Sequence, residues 1–160
     1  MEGSLKIVDR VKSIFKLSQG EYIAPEKVEA AYQRCGLLNQ IFVDGRSEKN
    51  FPVAVVVLNS TEVRSSLSAG KVLQHQKYSD SELNQNETVN SFVLKKMNAT
   101  VTDLKGFEKV QAIYLSDEPF TVENGLMTPT MKVSRNKARV HFAKIIDDLY
   151  AKYELNSASR

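Results

Sequence analysis

Apolar and polar positions along the chain fall into short blocks whose period switches between two and about 3.6. Residues 5–8 (LKIV) and 13–17 (SIFKL) are two short strand-like runs, and they predict a hairpin around Arg10 and Val11. Ser18-Gln19-Gly20 interrupts the second run. Pro25 then opens a helix over about 25–35, with Glu26 near its positive end and Val28, Ala31 and Tyr32 as its buried side. QIFVDG (40–45) and FPVAVVVLN (51–59) read as strands separated by a polar turn. The second is apolar almost throughout, so it is predicted to be central in its sheet.

From Ser60 to about Lys105 the period becomes helical. Val89, Val93, Met97, Val101 and Leu104 recur at steps of three or four and mark one face of a helix. Between the helical blocks, Ser79 to Thr88 (SDSELNQNET) is the most polar stretch and predicts a mobile or variable loop. VQAIYLS (110–116) is a further strand, followed by a long loop, DEPFTVENGLMTPTMKVS. Ser134 is placed to cap a final helix whose apolar stripe is Ala138, Phe142, Ile145, Ile146, Leu149 and Tyr153. The elements add up to an α+β fold, a small mixed sheet flanked by helices with a β-hairpin in front. Such an architecture hosts many functions and selects none.

Composition narrows the picture by exclusion. A chain of 160 residues, 42% hydrophobic and 26% charged, is of a size and kind to form one domain with its own core. Lys plus Arg number 22 against 19 Asp plus Glu, and the resulting +3 is too mild to demand a nucleic-acid partner. No apolar run has transmembrane length, and MEGSLKIVDR lacks the features of a signal peptide. The single cysteine, Cys35, excludes an internal disulfide and any multi-cysteine metal site. Asn-X-Ser/Thr triplets begin at Asn59, Asn86 and Asn98, but without a secretory signal they carry no meaning as glycan acceptors. An intracellular, reducing setting is the expectation, on a membrane's cytosolic face or in the cytoplasm.

Most candidate chemistry has a plainer reading. His75 and His141 are isolated and are expected to be surface or packing residues. Ser13-Ile14-Phe15-Lys16 fits S-x-x-K but lies on a predicted strand without that enzyme class's companion motifs. There is no Walker loop and no G-x-G-x-x-G. Cys35 is expected as a small core or boundary residue. The basic set Lys132, Arg135, Lys137, Arg139 and Lys144 suits a solvated helix face better than a nucleic-acid patch, because Asp147 and Asp148 interrupt it.

Three stretches stand apart from this background: GSLKIVDRVKSIFKLSQGEYIAPEKVE (3–29), EPFTVENGLMTPTMKVSR (118–135) and FAKIIDDLY (142–150). In order, spacing and content they resemble the C-terminal part of the long-chain acyl-CoA synthetases, members of the adenylate-forming superfamily; residues 41–100 are the weakest part of the match. The resemblance implies a much longer enzyme whose large N-terminal catalytic domain binds ATP and the fatty acid. Gly3 to Lys12 resembles only the end of that family's signature, so the chain is expected to start in mid-motif, with Met1 an added start residue. The implied organisation is the end of the interdomain hinge and signature over 1–12, a mobile C-terminal domain over 13–155 and a disordered tail over 156–160.

The resemblance also implies roles. The enzyme joins a long-chain fatty acid to ATP as acyl-AMP, then transfers the acyl group to CoA, the small domain swinging between two poses. Lys132 stands where the family carries the lysine of the first half-reaction, a compact charge suited to bridging an attacking carboxylate and an α-phosphate. The family usually has Gly before that lysine, where this chain has Met131. Arg10 matches the arginine that bonds the ribose hydroxyls, oriented by Asp9, and Lys12 matches the hinge. Lys16, Gly20 and Glu21 fall on the face that meets CoA in the second step, with Gly20 free to take positive φ. ATP, Mg2+ and CoA serve the whole enzyme, none is expected to stay on this part, and no metal ligand is expected here. The missing N-terminal domain is the implied partner, nucleic acid is not, and any membrane contact lies outside this part. Alternatives of other classes are a freestanding regulatory or interaction module and a weakly basic nucleic-acid binder.

Overall fold

In a computed structural model, residues 13–158 are described. Strands β1 (Phe15–Lys16) and β2 (Tyr22–Ile23) pair antiparallel, Phe15 opposite Ile23 and Lys16 opposite Tyr22. Of the hairpin expected between 5–8 and 13–17, the first strand lies outside the described residues; the second is described as Phe15–Lys16, with a downstream partner in β2. Gly20 explains the reversal. It sits at φ +92, a conformation natural to glycine, and closes the turn as its N–H donates to the Leu17 carbonyl at 3.0 Å. Leu17 N–H completes the turn by donating to the Glu21 carbonyl at 2.8 Å.

Helix α1 (Pro25–Tyr32) follows, shorter than expected, with Val28, Ala31 and Tyr32 buried. Strands β3 (Leu38–Asp44) and β4 (Val53–Leu58) pair antiparallel, and β5 (Ile113–Leu115) joins β4 in parallel, in the order β3-β4-β5. β4 is the central strand, as its unbroken apolar run implies, and both of its faces are covered. Ala54 and Val56 point into one apolar cluster with Val28, Tyr32, Val63, Val93 and Met97. Val53, Val55 and Val57 point into a second with Phe120, Ala138, Phe142, Ile146 and Tyr150. The period of two along a strand thus feeds two cores at once.

Between β4 and β5 lie α2 (Ser60–Ala69), α3 (Asp80–Gln85) and α4 (Glu87–Thr100). The α4 stripe of Val89, Val93 and Met97, continued by Val101 and Leu104, is buried throughout. The loop expected over Ser79–Thr88 is instead a helix and the start of another. Ser79 forms a capping box with Glu82, Asn86 caps α4, and Leu83 alone anchors the polar turn inward. High polarity there belongs to caps rather than to a loop.

The final helix is divided into α5 (Arg135–His141) and α6 (Ala143–Ala158), broken at Phe142. Ser134 occupies the cap position without a side-chain capping bond, contrary to expectation. Phe142 and Ile146 of the expected stripe are buried, with Tyr150 joining them. Residues 156–158, expected to begin a tail, continue α6.

Candidate active site and interdomain face

The long loop after β5 is tightly built. Met127 and Val133 bridge antiparallel, Thr128 N–H donates to the Lys132 carbonyl at 2.7 Å, and Met131 N–H donates to the Thr128 carbonyl at 2.8 Å. Lys132 N–H meets Thr128 Oγ1 at 3.3 Å. To close this small hairpin Met131 adopts φ +64, a left-handed conformation that favours glycine. Lys132 follows at once, exposed, at the edge of an open cleft of about 690 Å³ between α1 and the loop. Glu26, Gln33, Asn39 and Ile41 form part of its opposite wall.

The cleft is also lined by a largely buried ion pair that local sequence patterns do not announce. Arg135 Nη1 donates to both carboxylate oxygens of Glu29 at 3.0 and 2.9 Å, and Nη2 donates to the Val43 carbonyl at 2.5 Å. Val43 N–H returns a bond to Glu29 Oε2 at 2.7 Å. Burial pushes the Glu29 carboxyl above its usual range, against the opposing pull of Arg135 and the Val43 N–H. One turn on, Arg139 reaches the fully buried Asp44 at 3.3 Å, which Arg46 also meets at 3.2 Å. Of the basic set read as one solvated face, Arg135 alone turns inward; Lys132, Lys137, Arg139 and Lys144 are exposed, Arg139 while also reaching Asp44 of β3. Two of the five cations are paired with carboxylates of α1 and β3.

Lys16, Gly20 and Glu21 share the β1–β2 hairpin. Lys16 is exposed, its ammonium 5.7 Å from the Tyr22 ring centroid, and Glu21 is exposed beside Gly20. The turn is tied to the β3–β4 connection, Ser18 N–H donating to the Lys49 carbonyl at 2.9 Å and Gln19 Nε2 to the Asn50 carbonyl at 3.1 Å. None of these three residues lines the Lys132 cleft. Asp9, Arg10 and Lys12 lie outside the described residues.

The remaining candidates have structural explanations. Cys35 is buried. His75 is half-buried with Nε2 2.7 Å from Ser68 Oγ, and His141 is exposed, packed edge-on to Phe142. All three sequon asparagines serve the fold: Asn59 caps α2, Asn86 caps α4, and Asn98 accepts from Tyr32 Oη at 2.5 Å while donating to the Val110 carbonyl at 3.1 Å. Among the described residues no three His, Cys, Asp or Glu side chains gather as a metal site, and no helix is long and apolar enough to cross a membrane.

No family model matches the chain. Individual proteins do. Long chain acyl-CoA synthetase 2 of Arabidopsis thaliana is 42% identical over 160 residues, spanning 98% of this chain and 24% of that protein. Long-chain-fatty-acid–CoA ligase 1 of Homo sapiens is 44% identical over 151 residues, 93% of this chain and 21% of that protein. The chain thus spans less than a quarter of these relatives' length. Among solved structures, the A domain of the carboxylic acid reductase of Segniliparus rugosus, in complex with AMP and a co-purified carboxylic acid, superposes with a TM-score of 0.73 at 31% identity, over 90% of this chain and 20% of that one. The adenylation domain of the carboxylate reductase of Mycobacterium chelonae gives 0.72 at 30%, over 89% and 20%. The chain is therefore a homologue of part of the long-chain acyl-CoA synthetases, folded as the C-terminal region of the adenylate-forming enzymes.

Proposed function

We propose that this chain is the mobile C-terminal part of a long-chain fatty acid–CoA ligase, inactive without the larger catalytic part. The observation that carries the reading is identity of 42–44% to such ligases across nearly the whole chain. Lys132 serves acyl-adenylate formation. Its ammonium, exposed on a rigid hairpin, is a point charge able to offset the negative charge that builds as a carboxylate attacks the α-phosphate of ATP. Arg10, aided by Asp9, holds the ribose hydroxyls.

Lys12 is the hinge, and Lys16, Gly20 and Glu21 form the surface that meets CoA during thioester formation. The separation of this hairpin from the Lys132 cleft supports two presentations of one domain, one for each half-reaction. Mg2+ belongs with ATP and is held by groups of the larger part. Its setting is intracellular, and two Arabidopsis relatives are named as peroxisomal.

Paired single-turnover assays in an acyl-CoA synthetase carrying this region test the reading. Lys132→Ala is expected to slow pyrophosphate release about a thousandfold, roughly 4 kcal/mol, and to spare transfer from preformed acyl-adenylate to CoA. Lys12→Pro, which fixes φ near −65°, is expected to spare adenylation and impair transfer. Equal loss of both steps in both variants rejects the assignment.

A further inference from the structure

The hairpin's own bonds fix the shape of the loop that carries Lys132, but not its place on the domain. Phe120 and Leu126 seat the loop in the apolar cluster beside β3, and two polar side chains then tie its legs to β3. On the incoming leg, Gln40 Nε2 donates to the Phe120 carbonyl at 2.9 Å and meets Met127 Sδ at 3.2 Å, while Gln40 Oε1 accepts from Phe120 N–H at 2.8 Å. On the outgoing leg, three residues beyond Lys132, Arg135 holds Glu29 of α1 and the Val43 carbonyl of β3 with one guanidinium. That guanidinium also lies 5.1 Å from the Phe42 ring centroid.

The outgoing clamp is the stiffer of the two. Its side chains are only 17% and 13% exposed, and Glu29 is itself tied to Val43 N–H, so α1, β3 and α5 close one ring of bonds. A planar fork on a carboxylate and a carbonyl defines direction as well as distance. A buried ion pair of this kind is weak evidence for stability, since apolar side chains of similar volume often hold elements together as well or better. A bidentate fork adds a directional constraint to that packing.

We propose that Arg135, seated on Glu29, is a positioning residue that sets where the Lys132 ammonium is presented for adenylation; the inference rests on the role of Lys132 given above. Arg135 touches no reacting atom in this scheme. The variants are Arg135→Lys, which keeps charge and loses the fork, and Glu29→Gln/Arg135→Gln, which removes both charges and leaves no unpaired buried ion. In the 160-residue chain, amide exchange at Thr128, Met131 and Lys132 is expected to rise about tenfold in the double variant, with Val55 and Val56 unchanged. In an acyl-CoA synthetase carrying this region, adenylation kcat is expected to fall about 10- to 100-fold with KM for ATP little changed and CoA transfer intact, Arg135→Lys lying between. Unchanged loop exchange overturns the inference. So does raised exchange with normal adenylation in a background where Lys132→Ala abolishes it. If Lys132→Ala leaves adenylation intact, the role of Lys132 fails and the inference falls with it, whatever the exchange data show.

Discussion

Met131 holds the least comfortable backbone in the hairpin that carries Lys132. At φ +64 its Cβ crowds the backbone, a cost of about 1–2 kcal/mol for a residue other than glycine. Its side chain is 67% exposed, so little packing offsets that cost. Met131→Gly is expected to raise stability by up to about 1 kcal/mol, part of the relief being cancelled by glycine's larger unfolded entropy; thermal unfolding reads the sign, and a lower Tm contradicts it. Tyr32 is a second residue with a measurable signature. Its hydroxyl donates to Asn98 and accepts from Val110 N–H at 2.8 Å, and burial pushes its pKa from 10.0 up to about 12. The folded state keeps this proton where the unfolded chain loses it. The contribution is complete below pH 10 and disappears as pH rises through about 12. Tyr32→Phe is expected to cost about 1–3 kcal/mol at neutral pH, by orphaning the Val110 amide, and to flatten part of the alkaline loss. Tyr150, also raised by burial, retains the rest; an unchanged alkaline slope in urea titrations counts against the assignment. Neither residue advertises its state in the sequence. Met131 is visible there only as a missing glycine beside Lys132, and Tyr32 only as an apolar helix position.

Among elements, the polar caps contribute more than their composition suggests. Asn86 Oδ1 accepts from Thr88 N–H at 2.9 Å and Val89 N–H at 3.2 Å at the start of α4, the helix that supplies Val89, Val93 and Met97 to the core. Asn86→Ala is expected to cost about 1–2 kcal/mol, whereas Ser134→Ala, at a cap position without a capping bond, stays within about 0.5 kcal/mol. Chemical denaturation of the two variants tests this, and equal losses refute it. The same elements show what a sequence can reveal. The α4 stripe and the two-faced β4 were legible because a long run repeats its period many times over. The β1–β2 pairing was not, because two-residue strands contain no period and their partner is chosen by the turn at Gly20. Ser79–Thr88 misled because capping side chains and loop side chains are the same residue types. The Glu29–Arg135 clamp joins positions 106 apart, and no local pattern encodes such a meeting.

For the whole molecule, the stretches that carry Lys132, Lys16 and Gly20 were legible as a family resemblance, which 42–44% identity to acyl-CoA synthetases across nearly the whole chain supports. Their arrangement around β3 was not, since it depends on tertiary contacts. The sheet order has a further consequence, for folding. β3 and β4 meet across a short turn, but β5 can add to β4 only after the chain has traversed residues 59–112. Closing that crossover costs chain entropy before any parallel pairing compensates it. The β3–β4 ribbon is therefore expected to nucleate early, with β5 and the Lys132 hairpin beyond it among the last segments to dock. Pulse-labelling during refolding should protect Ile41–Val43 ahead of Ile113–Leu115, and the opposite order would exclude this route. On a ribosome the same order acts as a timer: the segment carrying Lys132 is expected to reach its native place only after the β3–β4 ribbon and the crossover to β5 have been made.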